Sequence, residues 1–209
     1  MEVAVYNVKG IQTDRKVSLT DSIFAIEPND HAIYLDVKQH LANQRQGTHS
    51  TKEKSMLSGS TKKLHKQKGT GGSRKGSIKS PLFRGGARIF GPQPRDYNFK
   101  LNKKLKKLAR KSALSYKIKD NALTIVEDFS FDTAKTKNFT ELLKNFQMTG
   151  KKTLLVIPNP DENLILSSRN LKRVKVMKAS DLNTYEILDA TQLLMTESSI
   201  REVEKIHEN

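Results

Sequence analysis

Apolar and polar positions divide this chain into two regimes. In the flanks, apolar residues recur at spacings that predict regular elements. Residues 2–8 carry Val3, Val5, Tyr6 and Val8 and predict a strand closed by Gly10. Pro28-Asn29-Asp30 predicts a helix start, after which Ile33, Tyr34, Val37 and Leu41 form one apolar face at helical spacing. Farther on, Leu101, Leu105, Leu108, Ala109 and Ile118 predict a second helix. Its other side bears Lys103, Lys104, Lys106, Lys107, Arg110 and Lys111. Elements then alternate. Strands are expected over 122–126, 153–157, 174–177 and 192–195. Helices are expected over 137–147 (with Phe139, Leu142, Leu143 and Phe146), 161–170, 181–188 and 198–207, the last with Ile200, Val203 and Ile206 inward. Strands separated by helices predict βαβ units, a mainly parallel sheet and a Rossmann-like three-layer α/β body.

Between about Arg45 and Lys100 neither period is present. Apolar residues there are sparse, among them Met56, Leu64, Ile78, Phe83, Phe90 and Tyr97. A stretch of that length inside a compact domain is functional or disordered, and alone it cannot bury enough surface to offset its ordering entropy. The expected division is residues 1–44 as the first part of the body, 45–100 as an extended loop, and 101–209 as the remainder. A flexible basic linker is the plain alternative.

Charge sharpens this division. The chain has 209 residues and a net charge of +16. Residues 43–119 hold 22 of the 38 lysines and arginines against two acids, Glu53 and Asp96, while the rest has 16 basic and 20 acidic residues. All the positive surplus therefore lies in one stretch, which also holds nine of the 11 glycines. Such a surplus calls for a polyanion. No apolar run approaches the roughly 20 residues that span a bilayer, and the start of the chain has no signal-peptide pattern. No membrane partner and no homo-oligomer are expected.

The usual catalytic patterns fail. Gly71 and Gly76 have phosphate-loop spacing, but Ser77 stands where the lysine belongs. Gly69 and Gly71 begin a dinucleotide pattern that meets Arg74 instead of its third glycine. There is no cysteine, and His31, His40, His49, His65 and His207 are scattered, so no cofactor or metal is expected. Asp161-Glu162 reads as a helix N-terminus. Glu127-Asp128 follows a strand and would sit at a sheet edge, without a nucleophile or base nearby in the sequence. An RNA-processing enzyme would need a carboxylate or histidine cluster that the sequence lacks.

The loop carries what phosphate binding requires. Lysine and arginine displace counterions and grip phosphate. Glycine lets the backbone approach closely and offer N–H groups. Phe83, His65 and Phe90 are candidates for stacking on bases.

Lys68-Gly69-Thr70-Gly71, then Arg74, Gly76-Ser77-Ile78-Lys79-Ser80-Pro81, Arg84-Gly85-Gly86 and Asn102-Lys103-Lys104 resemble the bacterial form of the fourth universal large-subunit ribosomal protein. The likeness continues through Lys135-Thr136-Lys137, Asp161-Glu162-Asn163-Leu164 and Ser168-Arg169-Asn170-Leu171, and covers roughly residues 43–205. The resemblance implies a cytoplasmic, non-enzymatic ribosomal component whose loop runs through large-subunit rRNA and which binds early in subunit assembly. It implies rRNA contacts at Arg45, Lys63, Lys66, Lys68, Arg74, Lys75, Lys79, Arg84, Arg88, Arg95, Lys103 and Lys104. Leu64, His65, Lys66, Gln67, Lys68, Gly69, Thr70 and Gly71 would form a tip lining the nascent-peptide exit tunnel. Implied partners are neighbouring ribosomal proteins, including the other one at the tunnel constriction, and transiently the nascent peptide. Two departures make this tip less aromatic and poorer in arginine. His65-Lys66-Gln67 replaces an aromatic-Arg-Gln, and Gly72-Ser73-Arg74 replaces an Arg-Ala-Arg. A nonspecific basic nucleic-acid binder or RNA chaperone is the alternative.

Overall fold

The computed structural model describes residues 1–208. It divides into two compact units, one of residues 1–41 with those from 100 onward, the other of residues 42–99.

The first unit is built on a six-stranded sheet. Its strands are β1 (Glu2–Tyr6), β2 (Gln12–Ser18), β3 (Leu123–Val126), β4 (Thr153–Ile157), β5 (Val174–Lys178) and β6 (Gln192–Thr196), in the order β2-β1-β3-β6-β4-β5. Every neighbouring pair is parallel except β1–β2. The helices are α1 (Asp21–Phe24), α2 (Asp30–Asn43), α3 (Lys103–Lys119), α4 (Thr136–Asn145), α5 (Glu162–Ser168), α6 (Thr184–Asp189) and α7 (Glu197–Glu208).

The side-chain period of two along a strand accounts for the two cores. From β4, Leu154 and Val156 join Leu114, Ile187, Ile200 and Val203 on one face. Leu155 and Ile157 join Phe139, Leu142 and Leu164 on the other. All five β4 residues are buried, and Leu154 through Ile157 run continuously apolar after Thr153, as a strand covered on both faces requires.

Four expectations need correction. First, β2 was not anticipated. Its sequence, Gln12-Thr13-Asp14-Arg15-Lys16-Val17-Ser18, buries little, and it lies at the edge of the sheet, where one antiparallel neighbour suffices to hold it. Second, α2 does not bury the face set by Tyr34 and Leu41. Tyr34 is 56% exposed, and the buried positions are Ala32 and Gln39. Hydrogen bonds seat this helix. The Asn29 N–H donates to Ser112 Oγ at 3.1 Å, Tyr116 donates to Asp30 at 2.6 Å, and Thr184 donates to Asp36. His40 also stacks on Tyr185 with ring centroids 4.7 Å apart.

Third, α3 buries Ala109, Ala113, Leu114 and Lys117, while Leu108 lies outward. Lys117 Nζ donates to the Ala190 carbonyl at 2.6 Å, and burial holds its pKa below the ordinary lysine value. Fourth, the helix expected over 181–188 is two pieces, a 3₁₀ turn (Ala179–Asp181) and α6. The break falls where Asn183 caps α6, its side chain accepting from the Glu186 N–H.

At the far end of the chain, α7 buries Ile200 and Val203. His207 is also enclosed. Burial, with Arg110, Lys111 and Lys107 of α3 nearby, lowers its pKa to about 4.

Candidate nucleic-acid interface

The second unit has no helix or strand after the last turn of α2. It is organised by a few backbone hydrogen bonds that join its two limbs. Arg95 N–H donates to Gly47 O at 3.2 Å, Thr51 to Pro92 at 3.0 Å, Arg88 to Lys52 at 3.1 Å and Leu64 to Gly76 at 3.0 Å. These rungs fold the segment back on itself about a midpoint near Thr70. The second limb makes a detour in which Ala87 N–H returns to Lys79 O at 3.1 Å.

Glycine is required at both ends of this structure. Gly47, at the base, has φ +66, and a Cβ there would fall 2.0 Å from Arg95 O. At the apex Gly69 (φ +85) and Gly71 (φ +65) sit in the left-handed region with open space around them. Close approach matters at the base, and turning matters at the apex.

The residues expected to meet RNA fall into three groups. Arg45 and Arg95 share one ring, with guanidinium carbons 3.6 Å and 4.6 Å from the Tyr97 centroid. Arg95, bonded to the phenol oxygen, holds the Tyr97 pKa below its ordinary value, with Coulombic help from Arg95 and Arg45. Stacked guanidinium groups keep their N–H edges free to donate in plane. A second group lies along the limbs. Arg74, Arg84 and Arg88 are exposed, Lys79 is half-buried, and Lys75 Nζ lies 5.8 Å from the Phe83 centroid. The third group is the apex, where Leu64 through Gly71 are all exposed. There the Lys63 side chain donates to Gln67, four residues along, and Lys66 and Lys68 lie open to solvent.

Lys103 and Lys104 belong to the first unit. They occupy the first turn of α3, which has no acid and no side-chain cap from Asn102. Cations there oppose the helix dipole, an arrangement that an anion in front of the helix would relieve.

Among the described residues, no lysine or arginine of 42–99 forms an ion pair with a carboxylate. Among the described residues, this positive charge is thus not offset by ion pairing. The stacking candidates separate. Phe83 is half-buried beneath Lys75, His65 is exposed, and Phe90 projects fully, at φ 52. Tyr97 was missed as a platform by sequence reasoning, although Arg95-Asp96-Tyr97 carried a signal in the form of an aromatic beside an arginine.

The acidic pairs are accounted for structurally. Glu127 binds Arg15, Asp128 accepts from the Ser198 N–H and hydroxyl, and Asp161 caps α5 by accepting from the Asn163 N–H at 3.0 Å. Among the described residues no group of His, Asp and Glu could hold a metal ion, and no helix is long and apolar enough to cross a membrane.

Residues 17–206 match the family described as ribosomal protein L4/L1. The chain is 60% identical to the large ribosomal subunit protein uL4 of Christiangramia forsetii, over 98% of each chain. It is equally identical to those of Parabacteroides distasonis, over 98% of each, and Phocaeicola vulgatus, over 99% of each.

Proposed function

We propose the function of this chain from one premise: it belongs to the ribosomal protein L4/L1 family. It is a structural, non-enzymatic constituent of the large ribosomal subunit and works in the cytoplasm as part of the ribosome. On our reading, the first unit is a Rossmann-like three-layer body, and residues 45–100 are an extended arm that reaches into large-subunit rRNA. Arg45, Arg74, Arg84, Arg88 and Arg95 would grip phosphates along the limbs, joined by Lys63, Lys75 and Lys79. Lys103 and Lys104 would add a contact from the body. The apex, from Leu64 to Gly71, would line the exit tunnel beside the other constriction protein and meet the nascent peptide. The arm would engage RNA early in subunit assembly.

One observation carries this reading. Residues 42–99, the doubled-back segment, hold 13 lysines and arginines against two acids, +11 of the chain's +16, and those cations have no carboxylate partners among the described residues. Each phosphate contact releases condensed counterions, so many weak contacts sum to a strong one. The segment has little core of its own, and RNA would supply what orders it.

The test is a sucrose gradient at moderate salt, comparing the full chain with a deletion of residues 55–90. The full chain should follow the large subunit stoichiometrically through a salt wash, and the deletion should not. A full chain that spreads over all nucleic acid and washes off would favour a nonspecific binder instead.

A further inference from the structure

On the first limb of the arm Thr51 and Lys52 are adjacent, but the residues they pair with on the second limb, Pro92 and Arg88, stand four apart. Ile89, Phe90 and Gly91 are therefore looped out between two rungs. The base of this bulge is pinned. Pro92 O accepts from the Thr51 N–H at 3.0 Å and from the Thr51 hydroxyl at 3.3 Å. Gly91 lies so close to Thr51 that a Cβ there would fall 2.1 Å from Oγ1. Proline favours extended backbone in the residue before it, and the reversal of the chain falls on Phe90, at φ 52. A bulky residue in the left-handed region is strained. Packing does not offset that strain, because Phe90 is fully exposed.

A strained backbone that holds an aromatic ring out in water points to a partner for the ring. The surroundings choose the partner's chemistry. Lys52 and Arg88, which form the inner rung, and Lys54 are exposed cations. The acid between them, Glu53, accepts from Gln93 Nε2 at 2.9 Å. A flat apolar face set among cations matches a nucleobase flanked by phosphates.

We propose that Phe90 is a stacking platform for an unpaired base of folded RNA, held out from the arm by the bulge, with Lys52 and Arg88 on the flanking phosphates. This rests on the reading of the arm as an RNA-binding element and adds to it a neutral contact. Phosphate contacts weaken with salt because binding releases counterions, whereas a stacked ring releases none.

The experiment uses the full chain, protein-free large-subunit rRNA and a long blunt RNA duplex. Phe90→Gly relieves the strain and deletes the ring. It should weaken rRNA binding about tenfold and leave the slope of log affinity against log salt unchanged. Arg88→Gln should reduce that slope by about one. Phe90→Leu, apolar but not flat, should behave as Phe90→Gly does, and Phe90→Trp should bind at least as well as the wild type. The chain has no tryptophan, so the new indole reports alone. Its emission should be quenched by rRNA and not by the duplex. Wild-type affinity in Phe90→Gly or Phe90→Leu would overturn the proposal and leave RNA binding by the arm standing. An indole that bare rRNA does not quench, but whose emission shifts to the blue in large subunits, would place the ring in a protein pocket and also overturn it. A wild type without affinity for rRNA would overturn the arm's role and this proposal together.

Discussion

Acidification should destabilise this protein through one buried imidazole. His207 is 5% exposed, and its Nδ1 has no hydrogen-bond partner among the described residues. Burial, then Arg110, Lys111 and Lys107, lower its pKa to about 4 from an ordinary 6.5. The unfolded chain therefore takes up this proton first as pH falls. The stabilisation is fully present above pH 6.5 and is lost progressively as pH falls toward 4. At pH 5 the unfolded imidazole is nearly all protonated and the folded one mostly neutral, a difference of about 2 kcal/mol. The assay is urea denaturation at pH 7 and pH 5, comparing the wild type with His207→Phe, which cannot titrate. The wild type should lose about 2 kcal/mol more than the variant over that interval. Parallel losses would refute the reasoning and assign the acid sensitivity to other groups.

Other expectations follow from the interface and the core. Arg74→Glu or Arg84→Glu should impair subunit assembly more than Lys205→Glu, read from subunit profiles. Gly47→Ala forces a Cβ to 2.0 Å from Arg95 O, so the Arg95 amide should lose its protection from hydrogen exchange. Arg95→Ala should raise the titration midpoint of Tyr97, seen by ultraviolet difference spectroscopy, because the largest influence lowering it is removed. Phe139→Ala empties a fully buried site and should cost about 3–5 kcal/mol in urea denaturation.

How far the sequence could be read depended on what holds each element. Where burial alone decides, the pattern sufficed. Leu154–Ile157 is apolar throughout and lies in β4, and Phe139, Leu142 and Leu143 lie inward on α4. Where polar contacts decide, it failed. α2 is seated by Asn29, Asp30, Asp36 and His40, residues that hydropathy scores as surface. β2 has only Val17 as an apolar anchor, and its place comes from pairing with β1. In the loop, charge and glycine content were plain from composition. The sharing of Tyr97 by Arg45 and Arg95 was not, because it depends on a fold-back that brings positions 45 and 97 together without any periodicity.

The rungs that join the limbs also make the loop a ruler. Its apex lies at a distance from its base set by the number of residues between rungs, and each limb counts separately. Removing one residue from each limb, between the Lys52–Arg88 and Leu64–Gly76 rungs but outside the detour that Lys79 and Ala87 close, withdraws the apex by up to roughly 3.3 Å and keeps these rungs in step. Removing one residue from a single limb moves the apex less and puts the outermost rung out of register. Length changes in this loop are therefore expected to be tolerated in matched pairs, the two limbs lengthening or shortening together.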